Sequence, residues 1–406
     1  MKPASGCKLF GAYQALGGIQ DGVVLLHSVV GCNFGSMSLH VAQDMRDIRQ
    51  TCTVISDSDV VFSGEASLER AVRSALELFQ PSVLFVVSGC VSEMIGDDIP
   101  AVLARIPHEA PLLYVEAAGF RGDAARGLEA GWLALLPLMK PPVPRPYPRP
   151  YTRSDTRPQV NLIGLGGGGP PAPPPDDVEA LRAMLAPQAA LGAVLSRCTL
   201  EEVRRAPYAD VNLVLRGKGR ELAQAMKEYF GIPWEELDYP YGAAGADDLW
   251  SRLERRFGLD YHQARAELDR QIAEGAGKAY RYLQALYGMP AAILASGPRA
   301  DGLRRFLEQE LGMEVVCFAR REELSDQEDF YRELRGSEAA LLFGSSFEQD
   351  GADELEIPLI RMDYPVFDEV CLTPRPHLGG QGTLHLLEDI FRGIMNGRTL
   401  KGALYQ

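Results

Sequence analysis

The chain has 406 residues, 46% of them hydrophobic and 24% charged, with 41 Lys and Arg against 55 Asp and Glu for a net charge of −14. At roughly 150 residues per domain this is the length of two to three domains, and the composition excludes a disordered chain, a collagen-like repeat and a small disulfide scaffold. The acidic balance argues against nucleic acid or an anionic membrane as a partner.

The longest apolar stretches, from Val23 to Val30 and from Val83 to Val87, fall short of the ~20 residues that cross a bilayer. The start at Met1 and Lys2 lacks the apolar region of a signal peptide, so a cytoplasmic location is expected. Seven cysteines, an odd number spread thinly, make a disulfide framework improbable and leave metal ligation, reactivity or plain burial.

In chain order, GVVLLHSVVGC from Gly22 reads as a buried strand, and NFGSMSLHVAQDMR has helical spacing with Asn33 or Ser36 as cap. TCTVISDSDVVFSG reads as strand and turn, SLERAVRSALELF as an amphipathic helix opened by Ser67, and PSVLFVVSGC as a strand feeding a helix from Glu93. PLLYVEAAG is a third strand, leading to a helix from Ala124 to Leu136. Strands alternating with helices predict parallel βαβ units.

The proline-dense run PPVPRPYPRPYTRSDTRP marks a boundary. We therefore expect an α/β fold of three doubly wound, Rossmann-like parallel-sheet domains: 1–140, a linker 141–158, 159–286 with a helical bridge, and 287–406. The second domain opens with VNLIGL and continues through an apolar strand, ADVNLVL, and the helix GRELAQAMKEYFGIPW, stopped by Gly231 and Pro233. Asp247 to Leu286 reads as one or two helices, and PAAILASG, MEVVCFA, AALLFGSS and IPLIRM as four short parallel strands.

Gly164, Gly166 and Gly169 satisfy GxGxxG after a strand, but prolines at 170, 171 and 173–175 displace the helix start that a pyrophosphate requires, which favours a surface loop. No Walker loop, HExxH, GxSxG or CxxC is present. Cys32 and Cys90 each fall where a buried strand turns into a helix, and Cys7 precedes the helix LFGAYQALGG in the same way. That edge of an open α/β sheet binds ligands, and unpaired N–H groups and the helix dipole there suit thiolates and the sulfides of an iron–sulfur cluster. Small neighbours, Ser5, Gly6, Gly31, Ser88 and Gly89, let a bulky inorganic ligand approach the backbone. Three unrelated core cysteines would also satisfy the pattern. Three ligands leave a four-iron cube one short, which points to a cluster shared with another subunit.

GCKLFGAYQALGGIQDGVVLLHSVVGCNF followed by FSGEASLERAVRSALELFQPSVLFVVSGCVSEMIGDDI resembles the amino-terminal domain of the nitrogenase component 1 family. Cysteines 25 and 58 residues apart in succession, with the words HSVVGC and CxxExIGDD, resemble its β subunit. AAGFRGDAARGLEAGW, QVNLIG, YFGIPW with PYG, and FDEVCLTPRPHLGGQG extend the likeness along nearly the whole chain.

The resemblance implies that Cys7, Cys32 and Cys90 ligate an interfacial iron–sulfur cluster, the eight-iron, seven-sulfide P-cluster type being favoured over a four-iron, four-sulfide one. The place of the α subunit's cofactor cysteine falls near Leu215, where no cysteine stands, and His377 fits the β pattern as a surface or interface histidine. Ala118 and Gly119 precede Phe120, where the nitrogenase β subunit can offer a serine to its oxidised cluster. Cys52, Cys198, Cys317 and Cys371 are read as structural. His27 is a candidate hydrogen-bond donor near the cluster or a packing residue, and Glu93, Asp97 and Asp98 are helix caps before they are docking groups.

The role implied by the resemblance is that of a non-catalytic, electron-relaying β-type subunit in a nitrogenase-like two-component oxidoreductase. It would form a heterotetramer with a homologous α-type catalytic subunit and dock transiently with a homodimeric iron–sulfur ATPase. The alternative of another class is a cofactor-assembly scaffold. The chain opens six residues before Cys7, without the long amino-terminal extension of the molybdenum nitrogenase β subunit, which favours a nitrogenase-like enzyme over that subunit. Among these, methylthio-alkane reductase is preferred to chlorophyllide reductase, whose subunits are longer, and to protochlorophyllide reductase, which substitutes an aspartate in the ligand set.

Overall fold

Three short-stranded parallel sheets repeat one strand order, and the repetition follows from runs of apolar and β-branched residues too continuous to leave either sheet face wet. The computed structural model describes residues 6–38, 49–140, 157–165, 175–324, 326–369 and 372–396. The first sheet contains β1 (Gly22–His27), β2 (Gln50–Cys52), β3 (Val83–Ser88) and β4 (Leu112–Val115) in the order β2-β1-β3-β4. The second has β5 (Gln159–Ile163), β6 (Ala190–Val194), β7 (Val211–Leu215) and β8 (Trp234–Leu237) in the order β6-β5-β7-β8. The third has β9 (Pro290–Ala295), β10 (Glu314–Arg320), β11 (Leu341–Gly344) and β12 (Leu359–Arg361) in the order β10-β9-β11-β12. In each, the chain winds outward in both directions from the two central strands, so a crevice opens between their carboxyl ends.

In the first sheet every residue of β1 and β3 is buried. Val23, Leu25, Leu84 and Val86 face the helices α4 (Glu65–Phe79) and α6 (Ile99–Ala104). Val24, Leu26, Phe85 and Val87 face the opposite way, into a core that includes α1 (Lys8–Leu16), α7 (Ala124–Leu133) and residues of the second sheet such as Ile163 and Val214. The period of two sorts one strand between two cores. The second and third sheets share a further continuous core around Leu213, Ile293 and Phe343.

The expected order of elements is present, with local differences. The run GVVLLHSVVGC divides: β1 stops at His27 and α2 (Val30–Ser38) begins, so Cys32 sits in the first turn of a helix. The ladder to β2 ends at Leu26 and that to β3 at His27, so VVGC has no strand to pair with. The helix expected to open at Ser67 opens at Glu65, after Gly64. β8 escapes the sequence pattern because WEEL is short and carries two glutamates. The charged bridge forms helices Gly242–Phe257, His262–Gly277 and Tyr280–Gln284, the first ended by Gly258 in the left-handed conformation (φ 67°). The four strands expected in the third unit are all parallel. Gly166 and Gly169 of the GxGxxG run, His40 and Cys371 lie outside the described residues.

Candidate functional site

The segments that carry Cys32 and Cys90 leave the carboxyl ends of β1 and β3. Cys90 is the first residue of α5 (Cys90–Ile95), directly after Gly89, and Cys32 lies in the first turn of α2. Cys7 is the extended residue before α1 (φ −72°, ψ 173°) and is exposed; Cys32 and Cys90 are half-buried.

What brings Cys7 to this edge is the crossing of α1 and α7 on glycines. A methyl group at Gly11 would lie 1.9 Å from the Ala124 carbonyl oxygen, and one at Gly127 would lie 2.0 Å from that of Lys8. The backbones therefore touch, as only glycine permits. The Lys8 N–H donates to the Gly122 carbonyl (2.9 Å), and Cys7 bridges to Asp123, so the start of α1 is tied to the turn that precedes α7.

That turn carries Gly119. A Cβ built on it would lie 3.2 Å from Cys90 Sγ, 3.5 Å from Cys7 Sγ and 3.1 Å from Cys7 Cβ. Two thiols thus converge on one point, and the Gly119 N–H donates to Cys90 Sγ at 3.1 Å. Cys32 stands on α2, half-buried against the core that also carries Cys52. Among the described residues no three His, Cys, Asp or Glu side chains are placed to hold a single metal ion. Thiolates around a polynuclear cluster stand farther apart than those around one ion, and the donor set is the type such clusters take. Beside Cys32 the backbone is open: a methyl on Gly31, or on Gly35 one turn later, would meet nothing within 4 Å.

The carboxylates around the site have distinct tasks. Asp98 caps α6 by accepting from the Ala101 N–H (3.0 Å). Asp97 does not cap: it accepts from His27 Nε2, the Ser63 hydroxyl and the Gly64 N–H, each at 2.9 Å. His27 is wholly buried, with Nδ1 paired to Thr53 Oγ1 (3.1 Å), so both ring nitrogens are engaged away from the thiols and the packing reading holds. Glu93 likewise bridges rather than caps. Burial works against its charge, but the Ser88 hydroxyl, the Ala118 N–H and Arg121 outweigh it and hold the carboxyl below the usual range.

Of the other cysteines, Cys198 and Cys317 are core residues whose thiols burial pushes up, Cys317 to about 12. Cys52 ends β2 with its thiol against the Ser28 carbonyl (3.4 Å).

In the second and third units the described thiols are Cys198, in the loop after β6, and Cys317, inside β10, and both are buried. Leu215, at the end of β7, is buried among apolar residues. Between the two sheets, buried Arg299 donates to Tyr241 (3.0 Å), Tyr239 (3.1 Å) and the Met362 carbonyl (3.3 Å), and its guanidinium stacks 4.3 Å from the Tyr239 ring. Tyr239 in turn donates to buried Asp177. His377, expected at a surface or an interface, is half-buried beside this cluster: its backbone N–H donates to Asp177 Oδ1 (2.6 Å), and its Nδ1 is sealed from solvent without a partner among the described residues. Sequence reasoning misses this cluster and the Gly119 turn. The available signals are an arginine just after a strand in SGPRADG, the paired tyrosines of YPYG, and a small-residue turn before Phe120.

The sequence matches the family model for nitrogenase component 1 type oxidoreductases from residue 7 to residue 395. The chain belongs to that family. Named relatives within this family differ in role. The chain is 28% identical over 413 residues to the nitrogenase iron-molybdenum cofactor biosynthesis protein NifE of Rippkaea orientalis (96% of this chain, 84% of the relative). It is 25% identical to the nitrogenase molybdenum-iron protein alpha chain of Methanothermobacter marburgensis (96% and 87%) and 24% identical to the beta chain of Methanococcus maripaludis (98% and 94%). A solved structure of nitrogenase Cp1 at pH 6.5 superposes with a TM-score of 0.76 at 18% identity, covering 98% of this chain and 93% of that one, which establishes the three-sheet fold. Among the described residues no helix is long and apolar enough to cross a membrane.

Proposed function

We propose that this chain is the β-type, electron-relaying subunit of a nitrogenase-like two-component reductase, with methylthio-alkane reductase as the preferred kind. Cys7, Cys32 and Cys90 would hold one side of an interfacial iron–sulfur cluster of P-cluster type, and a homologous α-type partner would hold the other in a heterotetramer. A homodimeric iron–sulfur ATPase would supply electrons. When bound, the cluster supplies one-electron carriage. The chain's own residues then supply thiolates, an N–H donor to one of them, and a rim that excludes water.

The observation that carries this reading is the convergence of Cys7 and Cys90 on Gly119 at an open edge of the first sheet. Exposed apolar residues stand on the elements that carry the cysteines and beside Gly119: Val30 (60%) and Phe34 (72%) on α2, Met94 (76%) on α5 and Phe120 (59%). Exposed apolar side chains beside an incomplete set of ligands are what a partner subunit would cover. The crevice between the second and third sheets, by contrast, is filled by Arg299, Tyr239, Tyr241 and Asp177, which supports assigning substrate reduction to the partner.

Iron and sulfide analysis of the chain expressed alone and with its α partner tests this. Iron-poor material alone and full loading in the complex are expected; equal loading in both would overturn the shared site. Cys90→Ala should abolish electron delivery while leaving the partner's own cofactor visible by electron paramagnetic resonance, and retained turnover would overturn the relay role.

The likeness to a cofactor biosynthesis protein at 28% identity favours, as a second reading, an assembly scaffold. A scaffold would lose its iron to an apo acceptor on mixing, whereas a relay subunit would retain it.

A further inference from the structure

Gly119 belongs to a turn that a buried carboxylate ties to the end of β3 and the start of α5. The Glu93 side chain is 6% exposed and lies one turn after Cys90 on α5. One oxygen accepts from the Ser88 hydroxyl (2.5 Å) and the Ala118 N–H (2.9 Å); the other accepts from Arg121 Nε (2.6 Å). The Ser88 hydroxyl accepts in addition from the Ala117 N–H (3.0 Å). The end of β3, the first turn of α5 and the segment from Ala117 to Arg121 are thereby fastened to one group. Gly119, at the centre of that segment, directs its N–H at Cys90 Sγ. Neighbours of a metal ligand fix its orientation, and hydrogen bonds to ligating sulfur set the potential of an iron–sulfur centre.

We infer that Glu93 is a positioning residue of the thiol site, holding the 117–121 turn so that the Gly119 N–H stays on the Cys90 sulfur. The hydrogen bond draws electron density from that sulfur and favours the more negative, reduced state of whatever iron centre Cys90 ligates. The positioning stands on the chain alone; the effect on a potential rests on the function proposed above.

Two measurements separate these claims. In hydrogen exchange followed by mass spectrometry on the purified full chain, Glu93→Ala should speed exchange of the peptide spanning 117–121 by on the order of tenfold, the scale expected when charge-assisted hydrogen bonds to a turn are lost. Peptides from the α1–α7 crossing should be unchanged. Glu93→Gln keeps an acceptor for the Ala118 N–H and should remain close to the parent. Arg121→Met removes a half-exposed partner of the same clamp and serves if Glu93→Ala does not fold. In the iron-loaded complex, a redox titration should show the Glu93→Ala centre harder to reduce than the parent, with Glu93→Gln in between. Unchanged exchange in Glu93→Ala, or in Arg121→Met where that variant stands in, overturns the positioning role. Faster exchange with an unchanged potential overturns the influence on Cys90. Should the parent complex carry no iron, the proposed function fails, while the exchange result still decides whether Glu93 holds the turn.

Discussion

The glycine crossing of α1 and α7 gives the sharpest expectation. In Gly127→Ala the new methyl would sit 2.0 Å from the Lys8 carbonyl oxygen and 2.7 Å from the Ala12 nitrogen, both backbone atoms. An unstrained contact needs about 3.5 Å, so the helices must part by roughly 1.5 Å. Overpacking of this kind costs about 1–3 kcal/mol, and because a backbone cannot rotate aside we place this case at about 2–3 kcal/mol. At about 2–4 °C per kcal/mol for a unit of this size, the melting temperature should fall by ~4–12 °C. Scans at one fixed rate by circular dichroism make the comparison valid even where unfolding is irreversible. The parting also strains the Lys8 to Gly122 hydrogen bond that places Cys7, so iron loading in the complex should drop with stability. Gly11→Ala meets the Ala124 carbonyl at 1.9 Å across the same crossing, and the double variant should cost less than the two single ones together. Gly336→Ala, at a helix end where a methyl meets nothing within 4 Å, is the control and should be neutral. An unchanged melting temperature for Gly127→Ala would refute the argument that this crossing is set by backbone contact.

Gly119→Ala places its methyl 3.1 Å from Cys7 Cβ and 3.2 Å from Cys90 Sγ, so it should reduce iron loading several-fold with little change in melting temperature; full loading would show that the turn does not border the centre. His27 should make stability fall with acid. Burial holds its pKa below the ordinary 6.5 although Asp97 opposes the shift, so the unfolded chain takes up a proton that the folded chain refuses. Its contribution is complete above that ordinary value and is lost as the pH falls below it and through the folded pKa. The drop in melting temperature between pH 7.5 and 5.5 should therefore be larger for the parent than for His27→Gln, and equal drops would exclude His27 as the source.

Much of this is legible in the residues themselves. β1 and β3 announce themselves because a strand covered on both faces is a continuous apolar run, and the helix Arg220–Phe230 because Gly231 in the left-handed conformation closes it. In the sequence Cys32 and Cys90 stand out because each follows a buried apolar run that gives way to a helix, and Cys7 because it immediately precedes α1. The role of Gly119 is not legible, since an N–H aimed at a sulfur leaves no mark on side-chain pattern. Glu93 reads as a cap because its position in the first turn of α5 suits a cap equally well; only the fold shows Ala118 and Arg121 returning to it. The cluster of Arg299, Tyr239 and Asp177 joins residues as many as 122 positions apart, which no local period encodes.

The cores also order events in time. The face of the first sheet that carries α1 and α7 is completed by residues of the second: the Cys198 N–H donates to the Gly18 carbonyl, the Gln20 N–H to that of Cys198, and the Leu200 N–H to Asp21 Oδ1. Glu129 on α7 accepts from the Gly219 and Glu221 N–H groups at the start of the helix Arg220–Phe230. A nascent chain that has just exposed Cys90 therefore has about 140 residues still to add before α1 and α7 are braced, roughly 7–28 s at ordinary rates of translation. Over that interval Cys7, Cys32 and Cys90 are presented by an unfinished scaffold, and a ribosome pause within the proline-dense stretch would lengthen the exposure of their thiols to oxidants.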